Sequence, residues 1–345
     1  MNHVGKLILS SRRPTNRLLG KVWFRVATGG RSPANSKELA GMQDWIKHGR
    51  LFGPQDFPSW VSSHSAVPIP EVIDDDRVRV YFSGRDEYQR SRLGEFSFQL
   101  STLLVDNTSI STTPLLDVGE LGTFDDDGVM ASCLVPYGPT HRLYYIGWNR
   151  GVSVPFRNSI GVAQRSTDGL FSRMFEGPIL DRSPSEPHFV ASCFVYRDSL
   201  ESWRMWYLSC TEWVQTRHGP RHRYHIKYAE SSDGINWNRD GIVAIDYKDE
   251  NEYAISRPWV IREGEVWKMW FSARGSRYRI GYAESGDGIN WERMDHKVGL
   301  TVSESGWDSE MVEYPAVFDL AGSRWMLYNG NSYGATGIGI AELPN

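Results

Sequence analysis

Cysteine is scarce in this chain: three in 345 residues, at Cys133, Cys193 and Cys210. Three thiols cannot build a disulfide framework, and their spacing matches no metal-ligand pattern. Each lies in an apolar run and reads as a small core residue. Long apolar runs are also lacking. None approaches the ~18 residues of a membrane span. Near the N-terminus, Leu7-Ile8-Leu9 falls short of a signal-peptide core of roughly 7–15 residues. A reducing, cytoplasmic location is therefore expected. A strong charge of either sign is missing: 38 Lys and Arg stand against 42 Asp and Glu, for a net charge of −4. Bulk charge thus gives no reason to expect a nucleic-acid partner. There is no Walker loop, no Rossmann glycine fingerprint, no His-Glu-x-x-His and no Gly-x-Ser-x-Gly. No cofactor and no metal-binding set of side chains is expected; an ion in a central channel and the oligomeric state stay open.

What is abundant is aromatic residues, 13% of the chain with 14 Trp, which suits both a β-rich core and a surface that stacks on sugars. They fall in a repeat. Trp203-Arg204-Met205-Trp206-Tyr207 returns as Trp267-Lys268-Met269-Trp270-Phe271 and, more loosely, as Arg324-Trp325-Met326-Leu327-Tyr328. Arg79-Val80-Tyr81-Phe82 and Leu143-Tyr144-Tyr145 hold the same place earlier. The alternation predicts half-buried strands. A second block follows: Tyr228-Ala229-Glu230-Ser231-Ser232-Asp233-Gly234-Ile235-Asn236-Trp237 recurs as Tyr282-Ala283-Glu284-Ser285-Gly286-Asp287-Gly288-Ile289-Asn290-Trp291. Asp168-Gly169 ends an earlier copy. Asp-Gly between apolar runs marks a hairpin turn. A period of roughly 50–65 residues with about four strands per unit is that of a propeller blade.

The expected fold is therefore all-β, a five-bladed propeller, with inner strands beginning near residues 64, 127, 186, 252 and 310. The last unit stops at Ile338-Gly339-Ile340-Ala341, one strand short. Trp45-Ile46-Lys47-His48-Gly49 has the Trp-x-x-x-Gly spacing of Trp237-Asn238-Arg239-Asp240-Gly241. Residues 43–52 are thus expected to pair into the last blade and close the ring, leaving no long sheet edge. An open sandwich is the alternative, without this long repeat. The propeller domain is placed at 38–345. Residues 1–37 hold eight Lys or Arg and no Asp or Glu. They read as a loosely attached extension with a linker at 29–36; a basic arm for an anionic surface is the other reading.

In a propeller, the starts of the inner strands and the turns between the second and third strands share one face, at the mouth of the channel. With Pro70, Pro258 and Pro315 matched to Cys133 and Cys193, the residues five or six positions earlier are His64, Asp127, Glu186, Glu252 and Ser309-Glu310. That repetition points to a ring of carboxylates. The facing turns carry Arg85 and Arg90, then Arg150, Arg157 and Asn158, then His225, then Arg277. Arg257 lies within an inner strand, and His188 and Glu313 flank two others. A cationic rim around carboxylates suits a ligand with hydroxyls and an anionic group, such as a phosphate, a nucleotide or a sugar acid. Alternatively the arginines pair with Asp86, Glu87 and Glu212. The Ser-x-Asp-Gly-x-x-Trp turns are similar to the Asp-box hairpins of sialidases, one residue shorter, and read as structural.

Across residues 42–342, the Met-Trp-Tyr and Tyr-Ala-Glu-Ser-x-Asp-Gly-Ile-Asn-Trp blocks resemble the five-bladed glycosidase superfamily of glycoside hydrolase families 43, 32, 68 and 130. Residues 119–130 and Ser305-Gly306-Trp307-Asp308-Ser309-Glu310-Met311 resemble uncharacterised family-43-like proteins of bacterial surface-polysaccharide gene clusters. The resemblance implies carboxylates at the first three inner strands: Asp127 as an ionised orienting group and Glu186 as proton donor, its pKa raised by burial and by Asp127 and Glu252. The first position departs, with Ser63-His64-Ser65 where an Asp belongs. His64 is assigned a hydroxyl or phosphate contact. The two-carboxylate hydrolytic scheme then lacks its base, and the arginines lean toward the superfamily's phosphorylases. The expected function is a carbohydrate-active enzyme that moves a glycosyl group to or from an anionic partner, with a carbohydrate or nucleotide-sugar ligand. An exo-acting hydrolase and a non-catalytic sugar-binding propeller are the alternatives.

Overall fold

The computed structural model describes residues 41–344; the 1–37 extension and the domain start at 38 lie outside the described residues. One eight-stranded sheet holds β2 (Ser63–Val72), β3 (Arg77–Arg85), β4 (Ser91–Gln99), β5 (Leu104–Asp106), β6 (Gly128–Tyr137), β7 (Thr140–Arg150), β8 (Phe156–Arg165) and β9 (Phe171–Arg173). A second holds β10 (Val190–Arg197), β11 (Trp203–Thr216), β12 (Gly219–Ser231), β13 (Val243–Ile245), β14 (Ala254–Glu263), β15 (Val266–Arg274), β16 (Tyr278–Ser285) and β17 (Glu292–Arg293). Each is two antiparallel meanders joined by a single parallel bridge, Ser91 to Gly128 and Tyr224 to Ala254. The third sheet runs β1 (Ile46–Phe52), β20 (Ile338–Leu343), β19 (Ser323–Asn329), β18 (Glu313–Leu320). None of the sheets closes on itself. No helix among the described residues is long and apolar enough to cross a membrane.

The repeated aromatic blocks form the second strand of their meanders. Trp203, Trp206, Trp270, Tyr144 and Tyr328 are fully buried, because alternate strand positions face the neighbouring meander. The Asp233-Gly234 and Asp287-Gly288 turns latch one meander to the next. In each, the Asp carboxylate caps two amides of its own turn, Ile235 and Asn236 or Ile289 and Asn290. Gly234 and Gly288 take φ of 72° and 77°, a conformation open to glycine without strain. The turn carbonyls then accept from the preceding meander: Arg142 to Asp233, Tyr144 to Gly234, Arg204 to Asp287 and Trp206 to Gly288.

The first strands of the meanders share a bulge. Val67, Ser192, Arg257 and Tyr314 sit at breaks in the pairing register of β2, β10, β14 and β18. Val67, Arg257 and Tyr314 have φ of 51° to 55°, which costs a non-glycine residue about 1–3 kcal/mol. Neighbouring side chains hold three of the bent amides: Asn329 takes the N–H of Val67 at 2.9 Å, Ser192 that of Arg257 at 2.8 Å and Ser272 that of Tyr314 at 2.8 Å. This places Val67-Pro68 in register with Arg257-Pro258 and Tyr314-Pro315. The sequence alignment through Pro70 was therefore two residues out in β2, since a bulge is invisible to an alternating pattern.

β1 pairs antiparallel with β20, from Ile46 opposite Glu342 to Phe52 opposite Ile338. Lys47 reaches Asp308 at 2.6 Å, and Trp45 and Trp270 both donate to the Gln43 side chain. A chain beginning at residue 53 is expected to lose cooperative thermal unfolding or to melt at least 10 °C lower than the full chain, because β20 becomes a bare edge. Unchanged melting would show that β1 contributes nothing to stability.

Candidate functional site

Of the carboxylates expected to ring the channel mouth, Glu186 and Glu252 are held in buried ion pairs, and Asp125 and Asp308, neighbours of the expected Asp127 and Glu310, are held in the same way. Asp125, Glu186, Glu252 and Asp308 are each 1–4% exposed, and each is tied to a cation from the outermost strand or edge of its own meander. Asp125 binds Arg173 at 2.8 Å and the Tyr145 hydroxyl at 3.0 Å. Glu186 binds Arg239 at 2.9 Å, Lys227 at 3.3 Å and the hydroxyls of Ser209 and Tyr207. Glu252 binds Arg293 at 2.6 Å, and Asp308 binds Lys47 and the Tyr328 hydroxyl. In the β2–β5 meander Trp60 stacks on Phe82 and donates to the Ser111 carbonyl instead. These contacts staple the loop before each inner strand to the rim of its own meander.

The expectation of a raised pKa at Glu186 is therefore corrected. Burial alone raises its pKa, but the Ser209 hydroxyl, Lys227, Arg239 and the Tyr207 hydroxyl outweigh it and hold the carboxyl below its ordinary 4.5. Asp127 pairs with Arg150 at 3.3 Å and caps its amide at 2.7 Å. Neither Asp127 nor Glu186 lines the main cavity. Several rim residues are also paired: Arg90 with Asp86, Arg277 with Glu310, His225 with Asp246 and Glu252 with Arg293. Arg257 is fully buried and donates to the carbonyls of Ser132 and Pro68. It ties inner strands together below the cavity, and burial lowers its pKa to about 10. Arg157 and His188 lie in a separate surface pocket of about 170 Å3 with Arg182 and Trp213.

The main cavity, about 450 Å3, opens where the inner strands begin. Of the expected residues, Arg85 and Asn158 line it. His64 lies beside Arg85, and burial with that charge lowers its pKa to about 4, so the ring is neutral at pH 7. The other walls are Trp148, Phe156, Tyr224, Tyr278, Tyr314 and Tyr333, with His222 and Arg274. Arg274 lies 5.3–5.5 Å from the rings of Tyr253, Tyr278 and Tyr333. His222 stacks on Tyr224 at 4.6 Å, and burial and Arg274 lower its pKa to about 4. Among the described residues, neither Arg85 nor Arg274 has a carboxylate within ion-pair distance, unlike Arg90, Arg150 and Arg277.

Arg274 and most of the tyrosines were missed from sequence. A signal for Arg274 was present: Phe82-Ser83-Gly84-Arg85 recurs as Phe271-Ser272-Ala273-Arg274, which ends β3 and β15 with an arginine at the same height. The tyrosines carried no such signal, because they come from strands far apart in the chain. No group of His, Cys, Asp and Glu among the described residues could hold a metal ion.

Glu186→Gln is expected to cost about 3–5 kcal/mol of stability at pH 7, since Arg239 and Lys227 lose their buried partner. Because the pKa of Glu186 is depressed on folding, its contribution is present above pH 4.5 and is lost as pH falls through the folded value. The wild-type advantage in denaturant titrations should shrink at pH 4. An unchanged midpoint at pH 7 would overturn the structural role.

No protein-family model matches the chain. Two Mycobacterium tuberculosis proteins, Uncharacterized protein Rv1502 and Uncharacterized protein MT1551, are each 41% identical to it over 303 residues, 87% of this chain and 99% of theirs. Among solved structures, a glycoside hydrolase superposes with a TM-score of 0.69 at 16% identity, covering 88% of this chain and 93% of its own. A thermostable family-43 glycoside hydrolase gives 0.62 at 14% identity, covering 83% and 91%. A structure from the GH130 family of mannoside phosphorylases gives 0.57 at 14%, covering 89% and 92%. The chain has the fold of the glycoside hydrolase propellers and belongs to the family of the Mycobacterium tuberculosis proteins Rv1502 and MT1551.

Proposed function

We propose that this protein is a five-bladed propeller, closed by β1, that acts on a glycoside or glycosyl donor carrying an anionic group, by transfer or phosphorolysis-like chemistry. The ring is supported by the packing of β2 against both β6 and β18, of β10 against β6 and β14, and of β14 against β18. Its three described cysteines are free and buried, which agrees with a reducing, cytoplasmic compartment.

One observation carries the functional reading: a cavity walled by aromatic rings and floored by Arg85 and Arg274, two guanidinium groups without carboxylate partners. Aromatic faces bury the C–H faces of a sugar ring. Arginine offers a planar fork of donors to a carboxylate or phosphate. No Asp or Glu lines the cavity, so the acid–base carboxylate pair of hydrolysis, about 5–9.5 Å apart, has no counterpart on its surface. Attack by a phosphate-type oxygen supplies the nucleophile with the co-substrate and needs one carboxylate fewer. The same bare lining favours a second reading, a sugar-binding protein without turnover.

Titration calorimetry with methyl glucoside, glucuronic acid, glucose 1-phosphate and a nucleotide sugar separates these readings from a neutral-sugar protein. The anionic ligands are expected to bind at least tenfold tighter than the neutral one, and to weaken with added salt as their charge is screened. Arg85→Gln and Arg274→Gln should each lose at least tenfold. A neutral glycoside that binds equally well at low and high salt, with both variants unaffected, would overturn the anionic reading. Release of phosphate or aglycone during incubation decides between turnover and binding.

A further inference from the structure

Glu313 is fully enclosed, and neither of its carboxylate oxygens has a hydrogen-bond partner of good geometry. The other buried carboxylates near the inner-strand starts, Asp125, Glu186, Glu252 and Asp308, are all ion-paired. Burying an unpaired carboxylate as an anion costs several kcal/mol, so its presence needs a reason. The backbone supplies none. Glu313 directly precedes the bulged Tyr314, as Ala66 precedes Val67, Ala191 precedes Ser192 and Ser256 precedes Arg257. Alanine or serine satisfies that position elsewhere in the chain.

Its surroundings are the wall of the main cavity. Arg274, Tyr278, Tyr314 and Tyr333 all line that cavity and all interact electrostatically with Glu313 or its neighbour Tyr314. The Tyr278 hydroxyl is hydrogen-bonded to that of Tyr224, 2.5 Å away, and Tyr224 also lines the cavity. Nε of Arg274 and Nε2 of His222 are buried without a hydrogen-bond partner, and the Ser256 hydroxyl lies beside that of Tyr278. Resting on the glycosyl-transfer reading above, we propose that Glu313 is the proton-holding group of the cavity, a neutral carboxylic acid beside Arg274 that serves the leaving oxygen of the sugar through the Tyr278–Tyr224 hydroxyl pair.

The step balances with inorganic phosphate as co-substrate. A phosphate oxygen bonds the anomeric carbon, and the glycosidic C–O bond breaks with its electron pair on the leaving oxygen. Tyr224 gives that oxygen a proton and Tyr278 resupplies Tyr224; Glu313, which acts on Tyr278 electrostatically in the free protein, restores the Tyr278 proton once the bound substrate brings the carboxyl and hydroxyl into contact. The proton that the hydrogen phosphate sheds on attack returns to Glu313. Glu313 is thus a positioning residue acting through the tyrosines. The groups that face it are Arg274 from β15, Tyr278 from β16, Tyr333 from the 331–334 turn and its own neighbour Tyr314, with Arg85 and His64 beyond. Burial is the dominant influence and holds its carboxyl well above the ordinary 4.5, against the opposing pull of Arg274, the Tyr333 backbone amide and the Tyr314 hydroxyl.

Two measurements on the full chain test this. The first needs no substrate. A carboxyl whose pKa is raised on folding lends stability below its unfolded value and loses it as pH rises toward the folded value. Glu313→Gln should therefore gain steadily on the wild type between pH 5 and 7, by up to about tenfold in the unfolding constant per pH unit. A constant difference across that range shows Glu313 ionised and overturns the proposal. The second uses methyl and p-nitrophenyl glycosides with inorganic phosphate. Glu313→Gln and Tyr278→Phe should lose roughly 10²–10⁴ in kcat on the methyl glycoside, with KM little changed and the alkaline limb of the wild-type pH profile gone. Loss should be slight on p-nitrophenyl glycosides, whose leaving group needs no proton. Wild-type turnover of both classes with the variants equally active overturns the inference alone. A wild type that turns over neither removes the transfer reading, and this inference with it.

Discussion

The buried ion pair at the start of each inner strand is the contact on which the rest depends. In four meanders a carboxylate from the loop before the strand meets an arginine or lysine at the outer rim of the same meander. A loop without that staple would be free to place the strand anywhere along its axis. With it, the strand begins at a set height and its bulge falls at the level of its neighbours' bulges. Breaking such a pair leaves a charge stranded in low dielectric, so the cost of slipping is far larger than that of a surface pair, worth about 0–1 kcal/mol. Trp60 does the same job in the β2–β5 meander by packing, with its one polar atom satisfied by the Ser111 carbonyl.

Because the bulges are aligned, the residues they carry converge. Val67, Ser192, Arg257 and Tyr314 all line a smaller cavity of about 130 Å3, which shares Tyr314, Tyr224 and Phe156 with the main one. The strain of positive φ is offset by side chains of adjoining strands that capture the bent amides. Above this layer, Arg85 and Arg274 end their strands in equivalent places and face a wall of tyrosines. Arg90, Arg150 and Arg277 on the rim have carboxylates to neutralise them. Arg85 and Arg274 have aromatic rings and a neutral histidine, so their charge stays available in a partly desolvated cavity where it counts for more.

The architecture was largely legible. Aromatic alternation located the second strands, the Asp-Gly turns located the hairpins, and a Trp-x-x-x-Gly echo located β1 as the partner of the last strand. These are local signals, set by backbone geometry within a few residues, so a linear reading captures them. The site was legible only in part. Arg85, Asn158 and Glu313 were picked out, and the first two do line the cavity. The ion pairs of Glu186 and Glu252 were not legible, because a carboxylate recurring at a fixed offset looks the same whether it faces a channel or an outer strand. The cations of Glu186 and Glu252, Arg239 and Arg293 among them, sit more than forty residues away in the chain.

The sequence by itself determined an all-β chain of repeated meanders, the pairing of an N-terminal strand with a C-terminal one, and the recurrence of charged residues at the strand starts. All of these follow from periodicity and turn chemistry. Which charges are spent on holding the fold and which are left for a ligand was decided only by tertiary structure. That outcome depends on distances between strands remote in sequence. A β-bulge also shifts the register by a residue without leaving a mark in the pattern, and so moves a side chain from one environment to another.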